Sequence, residues 1–500
     1  MPQTFTYQFD TPTYKGISSF STGVFIRGKF IDGSDNTTID VLNPATGKLI
    51  TQVSEGTPKD VDYAVECAQK AFDTVWGLNC PGTERGRLLY KLADLMEERL
   101  DEFAALEALD VGKAYNFAKG ADVPGTVATI RYYAGWADKI HGKTIETTQD
   151  KISYTVHEPL GVVAQIIPWN FPLTMLSWKL GPAVAAGNCV ILKPSEFTPL
   201  TALLFAQLTV EAGFPPGVIN IIVGYGNTVG EALSHHMGIE KVAFTGSTLV
   251  GRKIMKSAAE SNLKDITLEL GGKSPGIVFD DCDLDQAVNW SVHGIYFNHG
   301  QVCAASSRIF VHAKIYDEFL VKFTERAKAI KLGDPFGADT YQGPQVSQQQ
   351  YDRIMGYINA GKEAGATVHL GGERWGKEGY FIEPTIFTNN KPDMKIVREE
   401  IFGPVAVIMK FETDDEVIAQ ANDTVYGLAA SVFSKNIDRA LKTAQKLRAG
   451  SLWVNCASHV SPQVPFGGFK QSGIGRELGE YALEHYTAVK AVHINLGHQI

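Results

Sequence analysis

Val162-Val163-Ala164-Gln165-Ile166-Ile167 and Cys189-Val190-Ile191-Leu192 are short apolar runs on either side of a helical stretch near 173–186. The rhythm continues with strand-like runs at 218–223, 242–244 and 266–268, separated by helical stretches near 200–212, 227–236 and 248–260. Apolar strands of this length, alternating with helices, imply a parallel sheet covered on both faces. The five runs make an open sheet of the doubly wound kind, which binds ligands beyond the carboxyl ends of its strands.

The alternation resumes after Leu270-Gly271-Gly272. Strands are expected at 276–278, 308–311, 405–410, 429–433 and 451–454, with helices near 283–296, 314–330, 414–421 and 436–447. The chain therefore reads as α/β with two open-sheet domains. Upstream, Thr57-Pro58 offers a capping hydroxyl and a first-turn proline to a helix whose Val61, Val65, Ala68 and Phe72 share a face. One longer amphipathic helix is expected from Leu88, Leu92, Leu95, Met96, Leu100 and Phe103. The stretches 141–159 and 483–496 are β-prone and lie outside the α/β rhythm, so they suit a small projecting sheet. Its exposed edge invites a second subunit.

Composition is that of a globular protein: 500 residues, 44% hydrophobic and 20% charged, net charge -9. No Lys/Arg-rich run appears, which argues against nucleic acid or an anionic membrane as partner. No apolar stretch approaches the roughly 20 residues of a membrane span. Residues 1–14 lack the features of a leader peptide. The six cysteines are scattered, without zinc-type spacing, so no metal site is expected and free thiols in a reducing compartment are. The expected location is the cytoplasm.

Gly224-Tyr225-Gly226-Asn227-Thr228-Val229-Gly230 and Phe244-Thr245-Gly246-Ser247-Thr248-Leu249-Val250-Gly251 each run from strand to helix. Either reads as a plain βα turn or as a phosphate cradle at a helix N-terminus. Lys193 and Glu196 follow a strand end, where an acidic residue can hold ribose hydroxyls and repel a 2′-phosphate. Cys67 and Cys189 fall on a helix and an apolar strand, as core cysteines do. Cys303 lies in a small-residue loop, Phe297-Asn298-His299-Gly300-Gln301-Val302-Cys303-Ala304, suited to a nucleophile. Glu269, flanked by leucines at a strand end, is costly to bury without a task; it reads as a general base or as half of an ion pair. His299, on the loop of Cys303, is the alternative base of a thiol hydrolase.

Taken together, Ile167-Pro168-Trp169-Asn170-Phe171-Pro172, Lys193-Pro194-Ser195-Glu196, Phe244-Thr245-Gly246-Ser247, Leu268-Glu269-Leu270-Gly271-Gly272-Lys273, Gly300-Gln301-Val302-Cys303, Glu399-Glu400-Ile401-Phe402-Gly403-Pro404 and Pro465-Phe466-Gly467-Gly468 resemble the aldehyde dehydrogenase superfamily along essentially the whole chain. The resemblance implies a Rossmann-like cofactor domain (1–140 and 160–271), a catalytic domain (272–482) and oligomerisation segments (141–159 and 483–500). It implies Cys303 as nucleophile, Asn170 and the Cys303 N–H as oxyanion donors, Glu269 as the base that activates water, and Glu477 as a proton relay. It implies NAD, favoured over NADP, held by Ile167, Trp169, Lys193, Glu196, Gly226, Gly246, Ser247, Gly251, Gln350, Glu400 and Phe402. Phe171, Met175, Trp178, Val460 and Phe466 would line an apolar channel for a small aliphatic or aromatic aldehyde. Val460 stands where relatives often carry a second aromatic, and Val302 and Ala304 stand where they often carry cysteines. A homo-oligomer is implied, tetramer in preference to dimer. The rival on the same scaffold is a CoA-acylating dehydrogenase, which typically lacks the hydrolytic glutamate. A fold-retaining storage protein is a further rival, disfavoured because Cys303, Glu269 and Asn170 all stand.

Overall fold

In the computed structural model, which describes residues 2–499, the run at Val162 lies inside an eight-stranded sheet. Its order is Gly473–Ile474, Asp265–Glu269, Lys241–Thr245, Val162–Ile166, Cys189–Lys193, Ile219–Ile221, Val24–Ile26, Lys29–Ile31. The five strands expected from the sequence are parallel, and the added edge strands are antiparallel. Gln165, the polar residue in a fully buried strand, donates its amide to the Lys179 carbonyl at 2.7 Å. A buried polar group is tolerated when so paired.

From Val162–Ile166 the chain builds outward to Ile219–Ile221, then crosses back to add Lys241–Thr245 on the other side. The loops that follow these two adjacent strands depart in opposite directions. A crevice opens between them, as at the switch point of any doubly wound sheet.

The second sheet has seven strands: Thr367–Leu370, Thr385–Thr388, Val405–Phe411, Arg308–His312, Pro275–Val278, Ala429–Phe433 and Ser451–Val454. All run parallel except the first, an antiparallel edge. The two strands before Val405 were not expected. Thr367–Leu370 alternates exposed and half-buried residues, and Thr385–Thr388 is a four-residue run after a proline. A third sheet pairs Thr487–Asn495 with Lys151–Pro159 and Thr144–Ile145, as the β-prone stretches indicated. The fold is thus α/β with two open sheets and a small β appendage.

Three local readings change. The helix expected through Leu88 and Phe103 is two, Gly82–Glu98 and Leu100–Val111, because Arg99 leaves helical geometry (φ -108°, ψ 25°). Near 227–236 a single wide turn, Gly226–Gly230, precedes a short helix, Glu231–His235. Gly473–Ile474 pairs with Leu268 and Glu269, and Leu478, Ala482 and Leu483 join the first hydrophobic core. The tail of the 272–482 segment therefore packs with the first sheet and brings Glu477 to its edge. Met1 and Ile500, the ends of the expected segments, lie outside the described residues. Among the described residues, no helix is long and apolar enough to cross a membrane.

Candidate active site

A cavity of about 420 Å³ opens at the switch point and reaches the second sheet's loops. Trp169, Asn170, Gly246, Ser247, Glu269, Cys303, Gln350, Glu400, Phe402 and Glu477 line it, together with Phe171, Met175, Trp178, Val460 and Phe466. Residues as far apart in the chain as Trp169 and Glu477 meet here because the strand ends of both sheets point into one crevice.

Cys303 follows three consecutive residues in the left-handed region: Asn298 (φ 47°), His299 (φ 61°) and Gly300 (φ 71°). A Cβ on Gly300 would lie 2.0 Å from the Gly403 carbonyl oxygen, so glycine is required on both steric and conformational grounds. Cys303 is half-buried. Burial, then the charges of Glu269 and Glu400, pushes its thiol up to about 12, while the N–H groups of Ala304 and Cys303 pull the other way. Asn170, just beyond the first strand, donates Nδ2 to the Gln301 carbonyl at 2.8 Å and accepts from Asn298 Nδ2 on its own carbonyl at 3.0 Å. A carboxamide nitrogen has two hydrogens. With one committed to Gln301, the other is oriented as a donor.

Glu269 is buried, and neither carboxylate oxygen has a hydrogen-bond partner. Burial first, then the Glu477 charge, holds its carboxyl well above the usual range; Lys179 and Arg476 oppose this. Lys179 is fully buried, ion-paired with Glu477 and bonded to Thr245 Oγ1 at 2.5 Å. It was not anticipated from the sequence. The available signal was a lone charge in the apolar helix Pro172–Ala186, where burial demands a partner.

Toward the other end, Glu400 accepts from the Gly272 N–H at 2.9 Å, and burial pushes its carboxyl up to about 7. A Cβ on Gly271 would lie 2.4 Å from Glu400 Oε2, so the glycine admits this carboxylate. Gln350 donates to the Phe402 carbonyl at 3.2 Å, and the Phe402 ring meets Trp169 edge-on at 5.3 Å. Ser247 caps the helix Thr248–Glu260 by accepting from Val250 N. Lys193 Nζ and Glu196 Oε2, 3.5 Å apart, stand beyond their strand. Carboxylates at strand and loop ends, a helix N-terminus and flanking aromatic rings form a set of groups that fits a dinucleotide.

The aldehyde dehydrogenase family model matches residues 30–492. The chain belongs to the aldehyde dehydrogenase family. An aldehyde dehydrogenase of Agaricus bisporus is 64% identical over 99% of both chains, and one of Emericella nidulans 59% identical over 95% of both. The structure of the aldehyde dehydrogenase from Bacillus cereus in complex with NAD+ superposes with TM-score 0.94 and 49% identity, over 95% of this chain and 97% of that one. The protein is thus of an oxidoreductase family.

The aldehyde dehydrogenase cavity gathers most of the residues singled out from sequence. Five lie outside its lining. Lys193 ends its strand and Glu196 follows it, and Gly226 is exposed in its turn. Ile167 is buried, its N–H bonded to the Lys193 carbonyl at 3.1 Å. Gly251 is buried where a Cβ would lie 2.7 Å from Leu270 Cδ2. It lets the helix approach the strand. Asp122, Phe297 and Arg353 line the cavity without having been anticipated.

Proposed function

We propose that this protein oxidises aldehydes to carboxylic acids with NAD, through a covalent adduct on Cys303. The observation that carries the reading is Glu269, a buried carboxylate without a hydrogen-bond partner, in the same cavity as the half-buried thiol. An unpaired buried acid is costly, and general-base work on a water accounts for it.

Cys303 loses its proton to solvent and its sulfur adds to the aldehyde carbon, forming a C–S bond and moving the carbonyl electrons to oxygen. The free Nδ2 hydrogen of Asn170 and the Cys303 N–H hold that oxyanion; such donors typically contribute about 3–4 kcal/mol. NAD, when bound, supplies the two-electron acceptor for the hydride leaving this carbon. A thioester then remains on Cys303. Glu269 takes a proton from water as the water oxygen attacks; the C–S bond breaks, the acid leaves and the thiol returns. Glu477 and Lys179 lie behind Glu269 as a proton outlet. Glu400, Gln350, Phe402 and Trp169 would hold the nicotinamide half, and Gly246 and Ser247 the pyrophosphate. Lys193 and Glu196 would hold the adenine ribose, with Glu196 favouring NAD over NADP.

Phe171, Met175, Trp178 and Phe466 give an apolar, aromatic-lined route; Trp178 and Phe466 meet edge-on at 5.2 Å. Val460, 41% exposed, sits at the mouth. These features support a small or medium aliphatic or aromatic aldehyde. Thr487–Asn495 is an edge strand with Val489 and Ile494 exposed, which supports pairing with a second copy and the tetramer expected from the family. Six free cysteines support a reducing compartment, the cytoplasm.

The experiment is to follow reduced nicotinamide with simple aldehydes. Cys303→Ser should abolish turnover; full activity in this variant would refute the reading. Product formation that strictly requires coenzyme A would replace hydrolysis by acyl transfer.

A further inference from the structure

We propose that His299 is a positioning residue, which fixes the nucleophile loop by tying it to the segment that leads into the cofactor-side helix. The inference rests on the reading of Cys303 as nucleophile. Non-glycine residues in the left-handed region are uncommon, and strained backbone persists only where surrounding structure over-determines it. Asn298 and His299 are two such residues in succession, five and four positions before Cys303.

The imidazole of His299 is 1% exposed. Its Nδ1 lies 2.8 Å from the Pro344 carbonyl oxygen, and its Nε2 accepts the Gly343 N–H at 3.0 Å. The pairing dictates the tautomer: Nδ1 carries the proton and Nε2 the lone pair. Protonation would set an N–H against an N–H. Burial, joined by the Lys113 charge, pushes its value down to about 3 and keeps the ring neutral. Both nitrogens are thus spent on backbone, and His299 has none left to serve as the base of a thiol hydrolase.

The tie continues in both directions. Gln301 Oε1 accepts the Val346 N–H at 3.0 Å, and Gln345 Nε2 reaches the His299 carbonyl at 3.5 Å. Ser347 then caps the helix Gln348–Glu363. From that helix Gln350 donates to the Phe402 carbonyl and Arg353 to the Glu400 carbonyl, at 3.2 and 3.0 Å. Hydrogen-bonded structure therefore runs from the loop of Cys303 to the residues expected to hold the nicotinamide half, and His299 is its first link.

The test compares His299→Leu, which fills the space without either bond, with His299→Gln, whose amide offers one donor and one acceptor. The rate of Cys303 alkylation by iodoacetamide is read peptide by peptide in the cofactor-free protein, with half-buried Cys456 as internal control. This readout follows the loop whether or not Cys303 is the nucleophile in turnover. His299→Leu should change the Cys303 rate by at least about fivefold, leave Cys456 unchanged and lower kcat at least about tenfold. His299→Gln should restore both toward the parent. A folded His299→Leu with parental Cys303 alkylation and kcat would overturn the proposal, as would His299→Gln impaired as deeply as Leu. If His299→Leu fails to fold, His299→Gln decides: a parental Cys303 rate supports the tie, and a fivefold change in a folded protein refutes it.

Discussion

The Lys179 ammonium is ion-paired with the Glu477 carboxylate, while Glu269, whose carboxyl responds to both charges, has no hydrogen-bond partner of its own. One fully buried cation thus serves two carboxylates, and the proton affinity of Glu269 depends on which charges remain beside it.

That arrangement gives two pH shifts of opposite sign. Lys179 lowers the value of Glu269 and Glu477 raises it. Lys179→Met should move the rising limb of the kcat–pH profile to higher pH, and Glu477→Gln should move it to lower pH. Lys179→Met also leaves a buried anion uncompensated and should destabilise by about 3–5 kcal/mol, seen in thermal melts. Shifts of the same sign would show damage to the site in place of electrostatics.

Glu269 also makes stability depend on pH. Its folded-state value lies above that of the unfolded chain, so the folded protein binds more protons between the two values. The destabilisation is absent below the unfolded value and grows as pH rises above it. Glu269→Gln should raise Tm at pH 8 relative to the parent, and the difference should close near pH 4. A lower Tm at pH 8 would contradict the burial argument.

Asn170 has one amide hydrogen committed to the Gln301 carbonyl. Asn170→Ala should lower kcat by about 10²–10³-fold, the cost of one oxyanion donor. Steady-state kinetics with a simple aldehyde checks this, and a change confined to KM would assign Asn170 to binding alone.

Glu196 stands beside Lys193 beyond the strand end. A 2′-phosphate there would meet a like charge. Glu196→Gln should raise kcat/KM with NADP relative to NAD by about tenfold or more, measured side by side. An unchanged ratio would remove Glu196 from cofactor discrimination.

Much of the site was legible because its residues stand at strand ends, where apolar runs such as 189–192 stop at charged or glycine positions. Glu269 could be singled out that way, Cys303 by its small-residue loop, and Asn170 only through the family resemblance. Lys179 could not, because its partner Glu477 arrives from almost 300 residues later through an edge strand of two residues, Gly473–Ile474, too short to carry a pattern. The packing of Gly251 was not legible, because a glycine that admits Leu270 and one that admits a phosphate look alike in sequence. The role of His299 lay in two backbone groups of a distant loop, Gly343 and Pro344, which carry no side-chain signal. The break at Arg99 was hidden because the apolar positions keep helical spacing across it.

The central claim, an acyl group carried on Cys303 and released by Glu269, is tested most directly by mass spectrometry of Glu269→Gln after incubation with an aldehyde and NAD. The account predicts an acyl mass on the Cys303 peptide, with reduced nicotinamide formed once per site and further turnover slowed. An unmodified Cys303 with undiminished turnover in Glu269→Gln would contradict it.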